Sequence, residues 1–222
     1  MIAGSGFRTT LSAVLAAALG AACANGTSTR TPEVTHDGLK RVPGSRVERA
    51  WVKPGVDFSQ YTEVGLLDCL VSFRRNWRMN HPGVRTRDME RIKSALADEF
   101  RRVFTKELER GGYPVVTVPD DHVLLVRPAI IDLDVAAPDT MSGGRSNSFT
   151  ASAGSMTLVV ELFDSVSNEI LARAIDRRNA RHTGNVRWTT RGSNTNDARR
   201  LLRRWAGLLV SKLDEVHGKQ SG

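Results

Sequence analysis

The polarity pattern of the chain changes period several times, and each change marks an element. From Asp88 to Arg110, the residues Met89, Ile92, Leu96, Phe100, Val103, Phe104 and Leu108 recur at spacings of three and four, which predicts an amphipathic helix. Asp88 suits the positive start of such a helix, and Gly111-Gly112 suits its stop. A second stripe of Leu201, Leu202, Trp205, Leu208, Leu209, Leu213 and Val216 predicts a helix from about Asn196 to His217, capped by Asn194 or Thr195.

Between the helices the period is two. Met156, Leu158, Val160 and Leu162 alternate with other residues over Ser155 to Asp164, and Ser165 to Asn168 reads as a hairpin turn before a returning strand, Glu169 to Arg178. Tyr113–Val118 and His122–Val135 are two more strands, separated by a turn at Pro119-Asp-Asp121. Thr62 to Phe73 is largely apolar and predicts a strand buried on both faces, while Val47 to Val52 suits a short edge strand. This order predicts a single α+β domain over residues 47–217, a mixed, mainly antiparallel sheet packed against two amphipathic helices. Residues 218–222 are left as a disordered tail.

The first residues follow another logic. Arg8 is followed by the apolar stretch Leu11 to Leu19 and then by Gly20-Ala-Ala-Cys23. A charged start, a short apolar core and small residues before a cleavage point make a secretory signal, too short to span a bilayer. Cys23, directly after the small residues, is the expected lipid-attachment residue, carrying palmitate-type acyl chains at the mature N-terminus. The alternative is an ordinary signal cut nearby, with Cys23 passive. Residues 24–46 are rich in Thr, Gly, Ser and Pro and lack apolar periodicity, so they read as a flexible tether. The expected location is the bacterial cell envelope, with the chain anchored in the outer membrane and facing the periplasm.

Charge narrows the partners. The full chain has 32 basic and 24 acidic residues, and removal of Arg8 with the signal leaves 31 against 24, a net of +7. Arg173, Arg177 and Arg178 stud the returning strand, and Arg199, Arg200, Arg203 and Arg204 stud the last helix. Guanidinium forks bind phosphate or carboxylate groups bidentately, which makes Arg173, Arg177 and Arg178 the candidate site for an anionic envelope polymer or an envelope protein. The bland alternative is a solvated basic face. An exported chain rarely meets nucleic acid, so none is expected.

Other chemistry is sparse. With Cys23 acylated, Cys69 has no partner, and its apolar neighbours suit a buried thiol. The five histidines lack ligand spacing, so neither a metal nor a cofactor is expected. Asp132 and Asp134 share a strand face and could serve an envelope hydrolase near the loop at 138–148, or could be solvated acids. A small-ligand carrier would need an apolar pocket between helices and sheet.

Several ordered stretches resemble a bacterial lipoprotein family, domain of unknown function 3313. They are Pro54-Gly-Val-Asp-Phe-Ser-Gln-Tyr61, Val123-Leu-Leu-Val-Arg-Pro-Ala-Ile-Ile-Asp132, Ala153 to Ser165, Glu169 to Arg178, and the closing helix with Trp205. The resemblance implies an exported, lipid-anchored domain and brings no catalytic residues with it. It also implies a loose likeness to envelope lipoproteins that act as assembly or secretion accessories. The expectation is therefore a non-catalytic accessory or binding protein.

Overall fold

The computed structural model describes residues 31–135, 148–150, 154–179, 187–189 and 191–219, with the backbone alone at 148–150, 187–189 and 191–197. The strands are β1 (Lys40–Arg41), β2 (Arg49–Val52), β3 (Glu63–Leu66), β4 (Leu70–Phe73), β5 (Val115–Val116), β6 (Val123–Asp134), β7 (Ser148–Thr150), β8 (Ser155–Asp164), β9 (Ile170–Asn179) and β10 (Arg187–Thr189). The helices are α1 (Trp77–Asn80), α2 (Thr86–Arg110) and α3 (Arg191–Val216). Eight strands form one open sheet in the order β1-β2-β9-β8-β6-β3-β5, with β4 also paired to β6, while β7 and β10 pair separately. The β1–β2, β2–β9, β9–β8 and β8–β6 pairings are antiparallel, and β6–β3, β6–β4 and β3–β5 are parallel. The fold is α+β, as the alternation of periods predicts.

One face of the sheet carries the core. Leu124, Val126 and Ile130 of β6 and Met156, Leu158 and Val160 of β8 are two residues or a multiple of two apart, so they share a face. They pack with Leu96, Phe100, Phe104 and Leu108 of α2 and with Leu202, Trp205 and Leu213 of α3. Phe100 and Phe104, one helical turn apart, stack with ring centroids 3.9 Å apart. The helices are joined across their polar flank by Glu99, which accepts from Arg102 on its own helix and from Arg199 Nε at 2.5 Å.

The sequence pattern misplaces several boundaries. Residues 62–73 form two strands rather than one: β3 and β4 lie end to end on the same side of β6, separated at Leu67-Asp-Cys69. Val64, Gly65 and Leu66 of β3 are buried, whereas Leu70 and Ser72 of β4 are exposed. The helix α3 begins at Arg191, so Asn194 and Thr195 lie within its first turns and neither caps it. Its apolar stripe starts later, which is why the polar first turns are invisible to periodicity.

The larger correction concerns residues 32–46, read above as part of a flexible tether. They are folded onto the sheet. Leu39 has no exposed surface, and Lys40 and Arg41 pair with Val52 and Trp51. Val42 N donates to Ala50 O at 2.9 Å, and Trp51 Nε1 donates to Pro32 O at 2.9 Å. The segment is therefore the outermost ribbon of the sheet, and β2 is not an edge strand. The folded unit starts at Pro32. The earlier part of the expected tether, and the signal with Cys23, lie outside the described residues, as does the tail from 220.

At the far end of β6 a bulge re-phases the strand. Ile131 faces Thr157 but Asp134 faces Ser155, so one extra residue is inserted, and Asp132 takes a left-handed φ of 52°. Gly154 lies against this bulge with φ 98°, and a Cβ there would clash with the Asp134 carbonyl oxygen. Gly154→Ala is expected to destabilise the fold by about 2 kcal/mol or more, measured by urea unfolding. A change within experimental error would show that the β6–β8 end can relax freely.

Candidate basic site on strand β9

The three candidate arginines of β9 stand on two faces of the sheet. Arg173 and Arg177 face away from the helices, while Arg178 shares the inner phase with Asp176, which lies opposite the core residue Leu158. Each has a different fate.

Arg173 is committed to carboxylates. Its Nε donates to Glu161 Oε1 at 2.8 Å, directly across the β8–β9 ladder, and its Nη2 donates to Asp37 Oδ2 at 2.7 Å. Glu161 Oε2 in turn accepts from Arg127 Nε at 2.9 Å on β6, and the Arg127 guanidinium lies 4.5 Å from the Phe163 ring centroid. The side chains of Arg173, Asp37 and Glu161 are each no more than one-fifth exposed. The Asp37 carboxyl is held down to about 2, by the Thr35 hydroxyl first and by Arg173, against the upward effect of burial. Burial is the largest effect on Glu161 and raises its pKa, but Arg127 and Arg173 outweigh it and the net direction is down. This row closes the outer face and fastens the N-terminal ribbon to it.

Arg178 is equally occupied. Its Nε donates to Asp176 Oδ2 at 2.6 Å. The same oxygen accepts from Trp205 Nε1 of α3 at 2.7 Å, and Asp176 Oδ1 accepts from the Glu48 backbone N at 2.9 Å. Asp176 is 3% exposed, so three donors compensate a carboxylate buried from water. Only Arg177 keeps an exposed side chain, with no ion-pair partner among the described residues. The three arginines therefore do not converge on a shared anion site. Asp176, the residue that organises this end of the sheet, was missed by the sequence reading; its one signal is a carboxylate that follows Ala172 and Ala174 in the inward phase of β9.

The remaining candidates also separate. Asp134 pairs with Arg74 at 3.3 Å, while Asp132 is exposed at the bulge, and the two have no common partner among the described residues. The loop at 138–147 lies outside the described residues. The thiol of Cys69 is buried, and that burial pushes its pKa up to about 12, the opposite of what a nucleophile needs. Among the described residues no cluster of three or more His, Cys, Asp or Glu could hold a metal. A groove of 570 Å³ lies at the β5 edge, lined by residues such as Glu63, Val118, Asp120 and His122, and among the described residues core side chains pack between helices and sheet.

Two outcomes follow from these pairings. Asp176→Ala is expected to cost about 2–4 kcal/mol in urea unfolding, since it strands donors on β9, α3 and the chain before β2, whereas Arg177→Gln should stay within about 0.5 kcal/mol. Asp37 and Glu99 both lie near 2 when folded, below their ordinary 3.8 and 4.5, Glu99 chiefly through Arg102 and then Arg199. Carboxyls depressed by folding stabilise the protein fully above their unfolded values, so thermal stability should hold above about pH 5 and fall as pH drops through 4 toward 2. A flat melting temperature over that window would contradict the pairings.

Comparison with known proteins places the chain. No curated protein matches it. Among solved structures it is similar to the PelC dodecamer from Paraburkholderia phytofirmans, at 12% identity over 78% of this chain and 98% of that one, with a TM-score of 0.37. It is also similar to a homologue of neuraminyllactose-binding hemagglutinin from Helicobacter pylori, at 10% identity, 72% and 91% coverage and a TM-score of 0.37. A third is protein XCC0632 from Xanthomonas campestris, at 11% identity, 70% and 88% coverage and a TM-score of 0.35. The family described as protein of unknown function (DUF3313) matches residues 32–209, which begins where the folded unit begins and ends within α3. The chain belongs to the DUF3313 family.

Proposed function

We propose that this chain is a lipid-anchored lipoprotein of the bacterial cell envelope, held in the outer membrane through Cys23 with its domain in the periplasm, and that it works as a non-catalytic accessory or binding protein. The observation that carries this reading is the order of residues 8–23: one cation, a short apolar run, small residues, then a cysteine. A cytoplasmic enzyme has no use for that order.

The fate of the reactive side chains supports the non-catalytic part. Arg173 and Arg178 are held by carboxylates, Cys69 is a buried thiol, and Asp134 is paired with Arg74. Each is used to hold the fold rather than to meet a substrate. Binding through the exposed surface is what the geometry favours.

The anchor is directly testable. Expressed with its leader in a bacterial host, the chain should fractionate with membranes, and mass spectrometry of its N-terminus should find Cys23 as the first residue with acyl chains attached. Cys23→Ser should release the protein into the soluble fraction. An unmodified Cys23, or cleavage elsewhere, would overturn the anchor.

A further inference from the structure

The folded ribbon shortens the tether expected between Cys23 and the domain. If Cys23 is the anchored residue, only residues 24–31, eight positions, separate it from Pro32. Fully extended, eight residues span at most about 28 Å. Pro32 itself is fastened by its hydrogen bond from Trp51, so the ribbon from Glu33 to Val42 is the part of the domain nearest to the anchor in the chain.

The ribbon carries cations that no carboxylate of the described residues neutralises. Arg49, Lys53 and Arg173 close by are paired with Glu48, Glu169 and Asp37. Lys40 and Arg41 are exposed and have no carboxylate at ion-pair distance among the described residues, whereas Arg46 turns to α3, donating to the Ser211 hydroxyl at 3.2 Å within electrostatic reach of Glu215. Glu33 is the one exposed carboxylate on the ribbon, so the local balance is positive. Apolar side chains accompany the cations. Val34 is 51% exposed and Val42 37%, two of the nine large hydrophobic residues exposed among the described ones. Val34 bridges to Lys40, and Val42 follows Lys40 by two residues, so all three project from one side of the ribbon.

Exposed cations beside exposed aliphatic side chains, next to an anchor, fit a surface that is anionic outside and apolar beneath. We propose that the ribbon Glu33–Val42 is a membrane-contact edge: Lys40 and Arg41, which flank the edge from its two sides, meet the phosphates of anionic lipid headgroups, and Val34 and Val42 enter the interfacial layer. This inference rests on the anchor reading for its biological setting. The contact would hold the sheet edge against the bilayer and leave the β5 groove, at the opposite end of the strand order, facing the periplasm.

The test uses the chain from Ala24 onward, which contains the whole folded unit and has neither leader nor Cys23. Its binding to phosphatidylcholine vesicles containing one-third phosphatidylglycerol is compared by co-sedimentation with binding to pure phosphatidylcholine. Binding to the anionic vesicles alone, weakened by salt, is expected. Each neutralised cation should lower affinity about fivefold, so Lys40→Gln/Arg41→Gln should lose about twenty-five-fold. Arg203→Gln/Arg204→Gln on α3 should change it little, and added inorganic phosphate should not compete at matched ionic strength. No binding to anionic vesicles, an equal loss from the α3 pair, or competition by free phosphate would overturn the ribbon contact. Circular dichroism of each variant separates loss of binding from loss of fold. Mass spectrometry of Cys23 reports independently on the anchor, so the two readings can fail separately.

Discussion

A carboxylate buried inside a sheet must be fully paired, and Asp176 is where this fold meets that requirement. With only 3% of its surface exposed, it accepts from a strand neighbour, from the indole of α3 and from the backbone before β2. The three donors come from parts of the chain up to 157 residues apart, from Glu48 to Trp205. Removing any of them leaves a charge or a donor without compensation, which is why the pairing fixes geometry more tightly than apolar contact alone. The fastening of Glu48 sets the start of β2, and β2 in turn carries the N-terminal ribbon.

A second row of charges repeats the device on the opposite face. Arg127, Glu161 and Arg173 run across three adjacent strands, and Asp37 caps the row from the ribbon. The basic character of β9 thus has a structural origin. Arginines that look, along the chain, like a site for an external anion have their anions supplied by the protein itself.

The apolar periodicity was enough to read the secure elements. The stripe from Leu96 to Leu108 and the alternation from Met156 to Leu162 are buried where their spacing requires, and both lie in one core. What escaped detection depends on contacts distant in sequence. Leu39 is a single buried apolar residue in a polar stretch, and its burial accompanies the pairing of its neighbours Lys40 and Arg41 with Val52 and Trp51 on β2, not any local pattern. The extra residue at Asp132 shifts the phase of β6, so counting by two beyond Ile131 misplaces the side chains that follow. The break between β3 and β4 is set by where β6 offers partners. Of the candidate site residues, the identities were legible but the partners were not, because an arginine's carboxylate can come from any strand.

The folded ribbon is the point on which the functional account turns. It converts a long expected linker into a short one and adds a defined, basic and partly apolar ribbon at the start of the folded unit. Native-state hydrogen exchange tests it most directly. The amides of Leu39, Arg41 and Val42, bonded to Thr35 Oγ1, Glu33 O and Ala50 O, should exchange as slowly as those of β9 and be released only when the whole domain unfolds. Exchange at the rate of an unstructured chain, with β9 still protected, would show that the ribbon is not part of the fold and would contradict this account.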